Sequence, residues 1–153
     1  MNPYVVTMIS NEDYKLFEKI EKIVQEMPDI DFSEQKRESR RKVLLSCHMI
    51  ARALATFFPL QYHDGYCGDC EHSWLTTKTG NIIDAYPVGI MGGPILIPTG
   101  YAHPFERLYK ENVLYRVSGI RFQRNVNKVI GIMEETMTKL DIKRENSKKE
   151  MNK

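Results

Sequence analysis

The hydrophobic period of this chain changes twice, and those changes limit its fold more than any other feature. From Asn11 to Met27 the apolar residues Leu16, Phe17, Ile20, Ile23, Val24 and Met27 recur at three- and four-residue spacing, which predicts a helix. Asn11 or Asp13 can cap its start, and Pro28 stops it. Ser33 to Phe58 is also helical in composition, with Ser33 available as a cap. Its first half is almost wholly polar, and its second half, Val43 to Phe58, is almost wholly apolar. A helix that is apolar all round belongs in a core. The segment reads as a short surface helix, a break near Leu45–Ser46, and a buried helix from Cys47 to Phe58, ended by Pro59.

Past Phe58 the period shortens. Tyr62 to Cys70 holds Gly65, Gly68 and two aspartates and reads as loop or irregular edge. Glu71–Thr77 and Asn81–Pro87 are short runs rich in Trp, Thr, Ile and Tyr, separated by Lys78-Thr79-Gly80, which is a hairpin signal. Gly89–Pro98 reads as a turn followed by the buried strand Ile95-Leu96-Ile97. Pro104–Lys110 suits a short helix, and Val113–Val117 and Ile120–Phe122 suit further strands. Helical spacing then returns in Val126–Leu140, with Val129, Ile130, Met133, Met137 and Leu140 on one side. The order helix, helix, strands, helix predicts an α+β fold, with the buried helix packed on a small antiparallel sheet.

At 153 residues the chain suits a single domain over 1–142. Residues 143–153 carry five basic and two acidic side chains and read as a disordered charged tail. That tail accounts for the overall charge of +2 and leaves the body at −1, which argues against a nucleic-acid partner. No apolar stretch reaches the roughly 20 residues that span a bilayer. Met1–Ser10 lacks a basic segment and a cleavage pattern, so a cytoplasmic protein with no membrane partner is expected. Three cysteines are too few and odd in number for a disulfide framework, and point to a reactive thiol or a metal site.

A cysteine in the first turn of a buried helix sits at the helix's positive end. That favours the thiolate, and nearby backbone amides can stabilise an oxyanion. Cys47 has that position if the helix breaks near Ser46; in an unbroken helix from Ser33 its amide is already used. A thiol nucleophile also needs a base, and the base needs an acceptor that fixes its tautomer. His72 and Asp84 flank the hairpin turn. A loop of Thr77–Thr79 puts them directly opposite on one face. A loop of Lys78–Gly80 keeps them on one face but one pair apart, a diagonal of roughly 7–8 Å between backbones. A two-residue loop puts them on opposite faces.

Cys47 opening an apolar helix, His72-Ser73-Trp74 at a strand start and Ile82-Ile83-Asp84 before Ala85-Tyr86-Pro87 resemble the transglutaminase-like branch of the papain-like superfamily. The resemblance covers roughly a quarter of the chain. It implies that Cys47 is the nucleophile, His72 the base and Asp84 the orienting acid. It implies a hydrolase or acyltransferase of peptidase or amidase type, working through a thioester on a peptide or amide substrate, with no cofactor. It also implies that Trp74 packs beside the site. Gln35 and Gln61 are candidate oxyanion partners.

Two other readings stand beside it. Cys67-Gly68-Asp69-Cys70 has the spacing of a zinc chelate, which His63 and either His72 or His48 can complete into a zinc-stabilised binding module. An inactive member of the superfamily used for protein interaction is the other.

Overall fold

Ser10 starts the first helix. The computed structural model describes residues 9–28, 46–86, 93–99, 105–112 and 118–146. Within it, Ser10 Oγ accepts from the Asp13 amide at 3.1 Å and α1 runs Asn11–Glu26. The cap is thus Ser10, neither Asn11 nor Asp13. Asp13 is 4% exposed and does something else: its Oδ2 accepts from Thr77 Oγ1 and Asn81 Nδ2, each at 2.8 Å, and from Thr79 Oγ1. A carboxylate on α1 therefore grips the hairpin turn.

The second helix, α2, spans Cys47–Phe57. Ser46 is extended, at φ −105° and ψ 159°, and its Oγ accepts from the Met49 amide. The break expected near Ser46 is therefore the start of α2, and Cys47 is its first residue. What precedes, residues 29–45 with the surface helix and Gln35, lies outside the described residues. The last helix, α3, spans Ile120–Lys139 from Gly119. Ile120–Phe122, expected as a strand, is its first turn. Phe122 continues the helical stripe of Val126, Val129, Met133 and Met137, whereas Ile120 is 83% exposed.

Five strands form one antiparallel sheet: β1 Gln61–Cys67, β2 Cys70–Thr76, β3 Ile82–Asp84, β4 Ile95–Ile97 and β5 Tyr109–Glu111, in the order β4-β3-β2-β1-β5. The chain is thus α+β, with helices on one face of an antiparallel sheet. Two expectations fail here. Tyr62–Cys70 is a regular strand and turn, because β2 and β5 pair with it on both sides and supply the order its glycines and aspartates do not advertise. Pro104–Lys110 is not one helix: Glu106–Leu108 is a single 3-10 turn that delivers Tyr109 into β5. Residues 100–104 and Val113–Val117 lie outside the described residues.

Strand alternation sorts the side chains. Leu75 and Ile83 face the helices and join Leu16, Ile20, Ile23, Ile50, Leu54, Phe57, Val129 and Met133 in the main core. Each such side chain contributes about 1.5–3 kcal/mol by leaving water. Trp74, Ile82 and Ile97 face the other way and form a smaller cluster with Ile95 and Tyr109. The hairpin closes with Thr77 N–H donating to Asn81 O at 2.9 Å around Lys78–Gly80, with Gly80 at φ +89°. The loop is thus the three-residue alternative that leaves His72 and Asp84 on a diagonal.

The start of the expected tail is docked. Glu145 and Asn146 amides donate to Phe57 O at 2.7 and 3.0 Å, and Asn146 Nδ2 donates to Ala55 O and Phe58 O. These bonds satisfy carbonyls that the end of α2 leaves without helical partners. Residues 143–146 therefore belong to the folded body; 147–153 lie outside the described residues. Among the described residues no helix is long and apolar enough to cross a membrane.

Candidate active site

β3 ends at Asp84, so the stretch of β2 that holds His72 and Ser73 has no β3 partner beyond the Leu75–Ile83 and Thr76–Ile82 pairs. The first turn of α2 meets β2 there. The Ser73 backbone N–H hydrogen-bonds to the Cys47 sulfur, and the thiol is also in polar contact with the His48 and His72 side chains. Burial pushes the Cys47 thiol up, but these contacts, with His48 adding an electrostatic pull, outweigh it and bring it down to about 6.

His72 and Asp84 are both fully buried. His72 Nε2 lies 2.7 Å from Asp84 Oδ2. Burial pushes the imidazole down, but the bond to Asp84, the contact with Cys47 and the two negative charges outweigh it and lift it to about 9. A thiol at about 6 beside an imidazole at about 9 is a thiolate–imidazolium pair at neutral pH. With Nε2 committed to Asp84, Nδ1 is the nitrogen left for the thiol. Nδ1 is buried and makes no hydrogen bond of standard geometry.

Asp84 is held by more than His72. Tyr109 Oη donates to Asp84 Oδ2 at 2.7 Å, and the Tyr86 amide donates to Oδ1 at 3.1 Å. Burial and then the Asp84 charge push the Tyr109 hydroxyl far above its usual range, so it stays a neutral donor. Tyr109 and Trp74 also wall the histidine: the His72 ring lies 6.5 Å from the Trp74 ring, nearly parallel to it, and 6.3 Å from that of Tyr109. Sequence reasoning missed Tyr109, which lies 25 residues from Asp84 on a strand of three residues.

A second polar chain reaches Cys47 from the helix side. His48 Nδ1 lies 2.6 Å from Ser73 Oγ, and Ser73 Oγ donates to Asp64 Oδ1 at 2.5 Å. Arg52 closes a two-point fork on Asp64, with Nη1–Oδ1 at 3.0 Å and Nη2–Oδ2 at 2.6 Å. Burial pushes the Asp64 carboxyl up, but the hydrogen bonds from Arg52 and Ser73 and the Arg52 charge hold it below the usual carboxylate range. One signal was available in the sequence: an arginine inside an apolar helix needs a charged partner, and Arg52 is four residues from His48.

The zinc set is not assembled. Cys67 and Cys70 are directly opposed across the Gly68-Asp69 turn, but both ring nitrogens of His63 are engaged, Nδ1 by Glu111 at 3.0 Å and Nε2 by Thr76 at 2.8 Å. His72 is bound to Asp84 through Nε2. Among the described residues no group of three His, Cys, Asp or Glu side chains is arranged to hold a metal ion. Gln61 lies exposed at the start of β1.

Comparison of the chain with protein-family models, with curated proteins and with solved structures gives no match.

Proposed function

We propose that this chain is a thiol-dependent hydrolase or acyltransferase of peptidase or amidase type, built on a papain-like, transglutaminase-like core. The supporting observation is the buried His72–Asp84 pair at 2.7 Å in contact with a cysteine on the first turn of a helix.

The chemistry follows from the charge states. The Cys47 thiolate attacks the carbonyl carbon of an amide, and the C–S bond forms. The oxyanion develops near the first turn of α2, where the backbone amides and the helix dipole favour negative charge. His72, already an imidazolium, gives its proton to the departing amine as the C–N bond breaks. Neutral His72 then takes a proton from water or from an acceptor amine, which attacks the thioester. The C–S bond breaks, and its electron pair returns to sulfur. Asp84 keeps the imidazole oriented and offsets its charge throughout. The buried Trp74 and the half-buried Tyr109 screen the pair from water.

Trapping the acyl-enzyme tests the reading. The activated ester 4-nitrophenyl acetate should release a burst of phenolate and leave one acetyl group on the peptide that contains Cys47, because accumulation of an acyl-enzyme is the kinetic mark of nucleophilic catalysis. Cys47→Ser should abolish both. Acetyl found on Cys67 or Cys70 in place of Cys47 would overturn the assignment.

A further inference from the structure

We propose that His48 is a second catalytic imidazole at Cys47, held in place by Ser73 and the Asp64–Arg52 ion pair. The inference rests on Cys47 being the nucleophile.

Proton counting along the chain fixes the tautomer. A serine hydroxyl has one proton to donate. Ser73 spends it on Asp64 at 2.5 Å. At 2.6 Å from His48 Nδ1 the same oxygen must therefore accept, so Nδ1 carries a hydrogen. Nε2 is then the ring nitrogen able to accept a proton, and the His48 side chain is in polar contact with the Cys47 sulfur. When the imidazole accepts the thiol proton, the S–H bond breaks, the electron pair stays on sulfur and an N–H bond forms; when it already holds that proton, it donates to the thiolate.

The support is built from several elements. Arg52 forks onto Asp64, donates to His48 O at 3.1 Å, and lies against the Tyr62 ring at 4.4 Å and the Phe122 ring at 5.1 Å. Ser73 is 2% exposed, so water does not compete for its hydroxyl. Among the described residues, the charged and titratable groups facing His48 include Cys47 and Arg52 from its own helix and Asp64 from β1, with the Ser73 hydroxyl from β2. Strand alternation gives the arrangement its logic. His72 and Ser73 are neighbours on β2 and point to opposite faces. One residue is the base with its Asp84 partner; the other fixes the second imidazole. The thiol sits at the strand between them, so each histidine is backed by its own carboxylate.

The test is the rate of iodoacetamide alkylation of Cys47 against pH, read by peptide mass on the full chain, with thermal melts as folding controls. His48→Gln and Ser73→Ala should each raise the midpoint by about one pH unit, a roughly tenfold slower reaction below the midpoint. Ser73→Thr restores the hydroxyl and should bring the midpoint back toward wild type. If His48→Gln does not fold, the Ser73 pair carries the test, since a bracing role alone would lower the melting temperature without moving the midpoint. Profiles for His48→Gln and Ser73→Ala that superimpose on wild type, while His72→Gln shifts, would overturn the proposal. A wild-type midpoint at the ordinary thiol value of about 8.5 would instead defeat the assignment of Cys47 itself.

Discussion

His72 and Asp84 meet on a diagonal of the sheet. Their strands pair Leu75 with Ile83, and that register continues to put Asp84 across from Trp74, two positions from His72. The 2.7 Å bond between them spans that diagonal because the turn is Lys78–Gly80; a three-residue turn one position earlier would set the two directly opposite, and a two-residue turn would put them on opposite faces.

Asp84→Asn should keep the fold and lose the chemistry. The amide can hydrogen-bond the ring but cannot offset its charge, so His72 loses its main support as an imidazolium. We expect the acylation rate to fall by about a hundredfold or more, the usual worth of a positioned acid–base group. A loss below tenfold in burst kinetics would remove Asp84 from the catalytic unit.

Asp13→Ala should weaken the whole molecule through the turn. Thr77, Thr79 and Asn81 would lose a shared charged acceptor in a buried place. The expected cost is about 3 kcal/mol or more, measured by urea denaturation. A cost under about 1 kcal/mol would mean that water replaces the carboxylate and that the turn holds itself.

Gly65→Ala should separate β5 from β1. A Cβ there would lie 2.1 Å from Lys110 O and 2.9 Å from the Asn112 amide, both backbone atoms that can yield only by moving the strand. Tyr109 rides on β5 and would leave Asp84. Tyr109→Phe isolates the second effect: it removes one charge-assisted bond, worth about 1.5–3 kcal/mol. Gly65→Ala should therefore be the more destabilising of the two in thermal melts.

The Cys47–His72 pair sets an unusual pH dependence of stability. His72 has a raised folded value, about 9 against 6.5, so its contribution is full below about 6.5 and is lost as pH rises through 9. Cys47 has a lowered folded value, about 6 against 9.0, so its contribution is full above about 9 and is lost as pH falls through 6. Between about 6.5 and 9 the two slopes oppose, because folding moves a proton from thiol to imidazole without net uptake. The pair should leave wild-type stability nearly flat in that window. Cys47→Ala removes one slope, and its stability should fall with rising pH by up to about 1.4 kcal/mol per unit. Parallel curves for the two proteins would contradict the pairing.

Much of this site was legible, and what was not has a physical reason. The start of α2 near Ser46 could be read from the switch between polar and apolar halves; that Ser46 itself caps the helix was not read. The turn was legible only as one of three alternatives; the hydrogen bonds that Asp13, 64 residues from Thr77, makes to the turn left no local pattern in the sequence. β1 and β5 were invisible because their order comes from pairing with each other and with β2, not from their own half-exposed residues. Tyr109 and the Ser73–Asp64 link were missed for the same reason: they are contacts between elements, and no local pattern marks them. Ile120–Phe122 misled because alternating apolar residues over so short a run suit a strand or the first turn of a helix equally.

The most direct test of the account is the ionisation of Cys47 itself, followed by thiolate ultraviolet absorbance as the difference between wild type and Cys47→Ser. The expected result is a thiolate that appears with a midpoint of about 6 and persists through neutral pH. A midpoint at or above about 8.5, the value of an unassisted cysteine, would contradict it.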